Sequence, residues 1–340
     1  LFFDEIQEVP DWSLFLRRVI DSTKATVYVT GSSSKMLSSE LASEFRGRSL
    51  SRELFPLSFS EFARRACGAS FSRAAGLSSS DSALLRRALG DFLLRGGYMA
   101  ALDLPIQDSM MLVQEYAYRT VAMDVVERYN LRAPRVAASF LTRCISSSAR
   151  ELSVNKVANE FKSRGVSTSR ETLSNLLGYY EEAYLVFSLG DLSRSLADNP
   201  RSSSKVYAVD PGMFASFSRA AAREEGQRLE TAVFNKLRRT APTARSGSLA
   251  RLTFEHGGSA HEVDFIMGDA LLGDVYELVQ VSVDLANPKT RLREISALES
   301  AMEKHGIDES TIVTMDAEET VRVDSGTVRV VPAWKWLLDN

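Results

Sequence analysis

Residues 1–7 read Leu-Phe-Phe-Asp-Glu-Ile-Gln, an apolar run that passes directly into two acidic residues. A second apolar run, residues 26–30, ends at Gly31. Between the two runs, apolar residues recur at helical spacing, namely Trp12, Phe15, Leu16 and Val19. The order strand, helix, strand is typical of a parallel sheet, so we expect an α/β fold at this end of the chain.

Asp4 and Glu5 stand where the first strand ends. A strand buried in a parallel sheet points its carboxyl end at the nucleotide crevice, and this is the Walker B pattern. Asp4 is therefore a candidate ligand for the Mg²⁺ that bridges the phosphates of ATP, and Glu5 is a candidate general base for the attacking water. The alternative is a buried strand with two solvated acids at its end.

Two further patterns support a nucleotide site. Ser32, or its neighbour Ser33, follows the second strand, where a hydroxyl can orient the water; the alternative is a turn in which Ser34 caps the next helix. Arg46 and Arg48 flank a glycine and are candidates for an arginine finger presented to a neighbouring subunit of a homo-oligomer. A basic surface turn is the alternative for the two arginines.

The phosphate-binding loop G-x-x-x-x-G-K-[ST] does not occur in this sequence, which contains no Gly-Lys pair. Without the amides and the lysine of that loop, the triphosphate has no cradle. We expect this chain alone to bind ATP weakly and to be inactive as an ATPase. The chain starts at Leu1, without an initiator Met. A truncated protein is favoured over a degenerate one, because Asp4, Glu5 and the region of Ser32 remain intact.

The middle of the chain is predicted to be mostly helical from residue 57 to residue 130, as a lid or connector. Residues 136–190 have a sharper pattern: one amphipathic helix is ended by Gly165, and a second opens with the capping-box pair Thr168 and Glu171. Two short helices, a tight turn and a following apolar run predict a winged helix-turn-helix.

The winged helix has two possible partners. Its basic residues Lys162, Arg164 and Arg170 would meet the phosphates of DNA. Acidic residues stand close by, namely Glu171, Glu181 and Glu182, which favours protein docking instead.

Bulk composition limits the other possibilities. The 340 residues suggest two or three domains, and a net charge of −3 excludes a global basic field. Two separated cysteines (Cys67 and Cys144) and three unclustered histidines give no zinc pattern. No apolar run is long enough to span a membrane, and we expect a cytoplasmic protein without a membrane partner.

The carboxy-terminal third is predicted to be a small mixed domain. A helix near 227–239 is followed by strand candidates near 251–255, 262–267 and 275–283, a helix near 290–304 and a strand near 310–314. The order is α-β-β-β-α-β.

Together, these stretches resemble prokaryotic predicted ATPases of the AAA superfamily with a carboxy-terminal domain of uncharacterised function. The matching stretches are residues 1–7, 29–35, 46–48, 53–59, 61–62, 96–98, 205–212, 230 and 262–265. The block from Glu53 to Phe62 is the most specific, because no generic chemistry requires it. The resemblance implies that Ser32 is the residue called sensor 1 and that a Walker A loop precedes the first strand.

The resemblance also implies a restriction-endonuclease-like last domain. Glu230, Asp264 and Gln280 would then be metal-binding positions for phosphodiester hydrolysis. The position two beyond Gln280 is Ser282 where such nucleases have Lys, and Lys236 or Lys289 could substitute only by migration. We therefore expect an inactive site whose acids are polar remnants in an interaction domain.

The predicted fold is an α/β multidomain protein. It comprises a partial P-loop NTPase sheet of the AAA type (1–62), a helical lid (63–135), a winged helix (136–195) and a restriction-endonuclease-like domain (205–340). The predicted function is an ATPase that uses ATP and Mg²⁺ and couples hydrolysis to a DNA- or protein-binding module. The alternatives are a non-enzymatic DNA- or protein-binding protein with decayed cores and a metal-dependent DNA nuclease.

Overall fold

The computed structural model of the chain describes residues 1–6, 9–31, 48–50, 52–68, 77–192, 204–218, 224–240, 248–256, 258–269 and 274–338. The helix predicted near residues 34–44 lies outside the described residues. Within these described residues, the structure is mixed α/β, with three sheets of two, three and six strands.

The amino-terminal part has the predicted strand-helix-strand order. Strand β1 (Phe2–Phe3) pairs in parallel with β2 (Tyr28–Val29), and helix α1 (Trp12–Ser22) connects them. The expected burial of β1 is wrong: the side chain of Phe2 is 82% exposed and stacks on Tyr28 with ring centroids 4.9 Å apart. Helix α1 covers one face of this sheet, where Phe3 meets Phe15 edge-on, whereas Phe2 and Tyr28 lie on the other face, which stays open to solvent.

The described part of residues 57–130 is mostly helical, as predicted. Its elements are α2 (Phe59–Cys67), α3 (Ser79–Arg95), α4 (Ile106–Thr120) and a π-helical stretch (Val121–Glu127), and α5 (Pro134–Ser146) follows them. Helices α2 and α3 both begin with a capping box, formed by Ser58 with Glu61 and by Ser78 with Asp81. Each box satisfies backbone N–H groups that the first turn of a helix leaves unpaired.

The next unit contains a three-stranded antiparallel sheet with the order β3-β5-β4. Its elements are β3 (Arg150–Leu152), α6 (Val154–Ser163), α7 (Arg170–Glu182), β4 (Val186–Leu189) and β5 (Ser204–Ala208). The predicted capping pair at the start of α7 is off by one residue. Ser169, rather than Thr168, caps this helix and accepts from the backbone N–H of Thr172 at 3.0 Å.

The carboxy-terminal third is built on a six-stranded mixed sheet with the order β10-β11-β9-β8-β7-β6. The strands are β6 (Leu249–His256), β7 (Ser259–Asp269), β8 (Asp274–Val281), β9 (Glu309–Thr314), β10 (Glu319–Val323) and β11 (Gly326–Pro332). The helices are α8 (Pro211–Phe217), α9 (Glu225–Thr240), α10 (Pro288–His305) and α11 (Ala333–Trp336). The predicted order α-β-β-β-α-β is therefore confirmed from α9 to β9.

Two apolar cores lie on opposite faces of this sheet. One core contains Val279 and Val313 and extends through α9, the three-stranded sheet and the helical middle. The other contains the neighbouring residues Leu278 and Ile312 together with α10. Successive residues of a strand face opposite ways, so β8 and β9 supply both cores.

Two glycine-containing stretches meet inside the first core. The backbone N–H of Gly97 donates to Asp210 Oδ2 at 2.8 Å, and Asp210 also caps α8. A Cβ on Gly96 would lie 1.7 Å from Asp210 Oδ1, and one on Gly212 would lie 2.2 Å from the backbone of Arg95. Only glycine allows this close approach of the chain to the buried carboxylate.

Candidate functional site

The first candidate site lies at the ends of the two parallel strands β1 and β2. Their register pairs Phe3 with Val29, so the residues that follow each strand are level with each other. The hydroxyl of Thr30 donates to Asp4 Oδ1, and the backbone N–H of Glu5 donates to Thr30 Oγ1 at 3.3 Å. Both acids are exposed to solvent. A carboxylate beside a hydroxyl is a donor set that suits Mg²⁺.

Thr30, which is not among the predicted site residues, is the hydroxyl residue that the structure brings to Asp4. Ser32 and Arg46 lie outside the described residues. Arg48 is described, and its Nη1 lies 2.8 Å from Asp21 Oδ1, with both side chains about half exposed. The roles predicted for Ser32, Arg46 and Arg48 stay predictions.

Glu5 has a φ of 48°, in the left-handed region that residues other than glycine seldom adopt. Such conformations occur most often at ligand sites and switch regions, where the surrounding structure has to maintain them. The unusual backbone thus falls on the residue that the sequence assigns as general base.

The second candidate site lies between the three-stranded and six-stranded sheets. Glu230 on α9 and Asp264 on β7 lie close together there, with Lys205 of β5 between them. Lys205 Nζ lies 3.1 Å from Glu230 Oε1, 3.0 Å from Asp264 Oδ1 and 3.0 Å from Glu262 Oε1. Three carboxylates thus surround one ammonium group, and we call Lys205, Glu230, Glu262 and Asp264 the lysine cluster.

Sequence reasoning missed Lys205. The lysine was expected two positions beyond Gln280, with Lys236 and Lys289 as possible substitutes. In the structure, Lys236 Nζ lies over the ring of Trp336 at 4.1 Å, and Lys289 is exposed at the start of α10. The sequence signal for Lys205 is a single charged residue at the start of an apolar run. The next three residues of that run are all buried in β5.

A β-bulge orients Asp264. Leu252 pairs with Val263, but Ala250 pairs with Ile266, so β7 has one residue more than β6 across this step. A bulge of this kind bends the strand and re-aims a side chain. Asp264 is held further by the backbone N–H of Val281, which donates to its Oδ2 at 3.0 Å.

Gln280 has other partners. Its Oε1 accepts from the backbone N–H of Asp264 at 3.0 Å, and its Nε2 donates to Glu294 Oε2 of α10 at 2.6 Å. Within the described ranges, no group of three or more His, Cys, Asp or Glu residues is arranged to hold a metal ion. The centre of the lysine cluster is taken by the ammonium group of Lys205.

The electrostatics of the lysine cluster follow from burial and the excess of acids. Burial, and then the neighbouring Asp264, raise the pKa of Glu230 above its usual range, against the opposite effect of Lys205. Burial alone would lower the pKa of Lys205, but the three carboxylates together raise it above its ordinary value. Lys205 therefore stays charged at neutral pH, while Glu230 binds a proton more readily than an exposed glutamate.

The helix pair α6 and α7 presents a polar surface. Arg170, Ser174 and Asn175 of α7 are exposed. Two of the acids expected to oppose nucleic acid are engaged within the protein: Glu181 Oε1 accepts from the backbone N–H of Ser188 at 2.8 Å, and Glu182 accepts from the hydroxyl of Tyr129.

Two family models match parts of the chain. Residues 1–63 match the model of a family described as AAA domain, and residues 86–224 match a domain of unknown function, DUF8612. No solved structure matches the chain. Among the described residues, no helix has both the length and the apolar character needed to cross a membrane.

Two relatives extend over most of the chain. Uncharacterized protein MJ1544 of Methanocaldococcus jannaschii is 34% identical over 345 residues, which cover 99% of this chain and 74% of that protein. An uncharacterized protein of Haemophilus influenzae is 24% identical over 284 residues, which cover 83% of this chain and 65% of that protein.

Proposed function

Because the chain belongs to the family of the Methanocaldococcus jannaschii protein MJ1544 and its first 63 residues match an AAA domain, we propose that it is an AAA-type ATPase. In this proposal, Asp4 holds the Mg²⁺ of MgATP and Glu5 polarises the attacking water. Ser32 senses the γ-phosphate, and Arg46 or Arg48 reaches a phosphate on a neighbouring copy. Hydrolysis is coupled to a module that binds DNA or protein.

The contact between Thr30 and Asp4 is the observation that carries this proposal. It ties the acid after one strand to the hydroxyl after the next, at the edge of a parallel pair where α/β proteins bind nucleotides. Thr30 fixes the orientation of the carboxylate, so Asp4 is positioned before any metal arrives. Bound Mg²⁺ would supply the positive charge that neutralises the phosphates.

The experiment compares MgATP binding by this chain and by a form that includes any residues encoded before Leu1. The proposal places a phosphate-binding loop in those residues, so only the longer form should bind. In that form, Glu5→Gln should hold ATP without turning it over. Normal turnover by Glu5→Gln would refute the role of Glu5. Absence of binding by both forms would favour the non-enzymatic binding protein.

For the coupled module, we propose DNA binding through a winged helix made by α6, α7 and the three-stranded sheet. The support is the strand order β3-β5-β4 around the helix pair, with Arg170, Ser174 and Asn175 exposed on α7. Duplex DNA binding should weaken about tenfold in Arg170→Ala, because a phosphate or base contact is lost. Unchanged binding by this variant, or no binding by the parent, would leave protein docking as the role of the module.

One specific observation supports a second function, a metal-dependent nuclease. A lysine from another strand, Lys205, lies beside Glu230 and Asp264, at a site that was expected to lack one. Cleavage of DNA with Mg²⁺ or Mn²⁺ that disappears in both Asp264→Ala and Lys205→Met would support it. No cleavage with either metal would end this alternative, because Lys205 would then be only the internal counter-ion of the acids.

A further inference from the structure

Residues 53–56 (Glu-Leu-Phe-Pro), which we call the strap, are held by side chains from two distant parts of the chain. Arg238 of α9 makes a two-pronged contact with Glu53, Nη1 to Oε2 at 2.8 Å and Nη2 to Oε1 at 3.0 Å. The hydroxyl of Tyr184 donates to Glu53 Oε1 at 3.0 Å. The Glu53 side chain is only 9% exposed, so this carboxylate is almost enclosed.

A second set of contacts holds Phe55. The guanidinium groups of Arg238 and Arg239 lie 5.5 and 4.9 Å from the centroid of its ring, and the ring of Tyr184 meets it edge-on at 6.3 Å. Arg238 also lies 4.9 Å from the ring of Phe187 on β4. A planar guanidinium suits this double task, because its edge forks onto a carboxylate while its face covers aromatic rings.

The spacing of the strap explains which side chains are held. In extended chain, residues two apart point the same way and the residue between them points the opposite way. Glu53 and Phe55 both face the protein, and Leu54 between them is 91% exposed. The strap is therefore held through an acid and an aromatic ring two positions apart, and through the carbonyl oxygen of Pro56, which accepts from Arg239.

The backbone of Tyr184 points to a binding role. Tyr184 follows α7 with a φ of 54°, at the position where helices usually end in glycine. Its N–H donates to Glu181 O, and the N–H of Leu185 donates to Tyr180 O, as in the usual helix-ending motif. A tyrosine in this conformation is strained, and the cost is offset by the contacts its side chain makes with the strap.

We infer that Tyr184, Phe187, Arg238 and Arg239 form a peptide-binding site specific for the motif Glu-x-Phe, which the strap occupies in this structure and from which a competing peptide can displace it. Phe187 belongs to the large core, and both Tyr184 and Phe55 of the strap pack against it. An open groove of about 480 Å³ continues from it past Phe187 and Arg238.

Helix α9 connects the peptide site to the lysine cluster. The strap lies within the residues that match the AAA domain, while Arg238 is two helical turns beyond Glu230 on α9. One helix thus contacts the AAA-matched segment at one end and the lysine cluster at the other. The inference about the peptide site does not depend on ATP hydrolysis.

The test uses a fluorescently labelled peptide of residues 52–57 (Arg-Glu-Leu-Phe-Pro-Leu) and the full chain. The peptide should bind a Glu53→Gln, Phe55→Ala variant, whose own strap is weakened, at least about tenfold more tightly than the parent chain, where the strap competes. Adding Arg238→Ala should abolish binding. A peptide with Gln in place of Glu should bind about tenfold more weakly, because the charged, two-pronged contact is lost.

Tyr184→Gly serves as a variant that should fold, since glycine prefers this backbone conformation. It should keep the thermal stability of the strap-weakened chain but bind the peptide more weakly, whereas Leu54→Ala in the parent should change nothing. In the parent, amide exchange of residues 53–57 should be faster than that of α9. Equal binding to the parent and strap-weakened chains, binding that survives Arg238→Ala, or no peptide binding by the folded variants would overturn the inference.

Discussion

The chain uses carboxylates in two contrasting ways. At the amino-terminal site, Asp4 and Glu5 are exposed at the edge of a two-stranded sheet, with Thr30 as the partner of Asp4. In the body of the molecule, the packed part from Phe59 to Leu338, Asp264 and Asp210 are almost fully buried, and each accepts backbone hydrogen bonds. The first arrangement leaves charge accessible to a ligand, and the second uses charge to hold separate segments together.

The difference shows what burial does to the same chemical group. A buried carboxylate needs several donors or a counter-ion, so its neighbours are fixed and its loss is costly. An exposed carboxylate is solvated by water and contributes little to stability, so it can be kept for binding. Substitutions in the body should therefore affect folding, and substitutions at the amino-terminal site should affect nucleotide binding.

The largest effect is expected from Gly96→Ala. The new Cβ would lie 1.7 Å from Asp210 Oδ1, and the backbone of Gly96, with φ 72° and ψ −160°, is in a region essentially reserved for glycine. We expect a loss of about 4 kcal/mol or more in the free energy of unfolding, measured by urea denaturation. Gly178→Ala is the matched control: its Cβ would meet open space in a helix, and it should be neutral or stabilising. Similar losses in both variants would contradict the argument.

Lys205→Met should come next. It removes the ammonium group from three carboxylates while keeping most of the side-chain volume. Breaking such a buried pair leaves uncompensated charge, and we expect a loss of about 3 kcal/mol in unfolding free energy. Lys289→Met, at an exposed position, should change it by less than about 0.5 kcal/mol. Equal effects of the two substitutions would show that the lysine cluster does not hold the sheets together.

The buried Asp210 should give the protein a measurable pH dependence. Burial raises its pKa from an ordinary 3.8 to about 6, although hydrogen bonds from the N–H groups of Gly97, Met213 and Gly212 act in the opposite direction. The folded state then binds this proton more tightly than the unfolded state. Its contribution to stability is complete below about pH 4 and is lost as the pH rises through about 6, by up to about 3 kcal/mol.

The pH measurement compares urea unfolding of the parent with that of Asp210→Asn between pH 4 and pH 8. Asn does not titrate, so the difference between the two curves isolates the carboxyl group. Parallel curves across this range would mean that Asp210 titrates alike in both states.

The smallest effect on folding is expected at the amino-terminal site. Thr30→Val keeps the shape of the side chain and removes the hydroxyl that contacts Asp4. The unfolding free energy should change by less than about 0.5 kcal/mol, because both residues are exposed. MgATP binding by a nucleotide-binding form of the protein should weaken about tenfold, because Asp4 is no longer oriented. A large loss of stability with unchanged MgATP binding would show that the contact between Thr30 and Asp4 serves folding rather than nucleotide binding.

Local patterns predicted the elements well. The amphipathic spacing from Val154 to Phe161 gave α6, and Gly165, with φ 75°, follows that helix as expected. The order of helices and strands from α9 to β9 was also readable, because each element has its own apolar period. The capping of α7 was misplaced by one residue because Thr168 and Ser169 are chemically similar candidates.

The candidate sites were predicted only in part, because tertiary contacts decide them. Glu230 and Asp264 were named together, yet Lys205 comes from a different sheet, and no local period connects β5 to β7. Strand β1 was predicted to be buried because its residues are apolar. Burial of a side chain in a sheet, however, depends on what packs against that face, and Phe2 is 82% exposed. The block from Glu53 to Phe62 was identified as specific although no generic chemistry requires it, and the contacts of Glu53 with Arg238 and Tyr184 now supply a reason.

The bulge in β7 makes the lysine cluster sensitive to insertion and deletion. Deleting one residue at the bulge would restore regular pairing with β6 and leave the hydrogen-bonded ladder on both sides unchanged. The same deletion would remove or turn the carboxylate that faces Lys205. A single codon thus separates a sheet that carries the acid cluster from one that does not, so relatives can gain or lose the cluster without changing their fold.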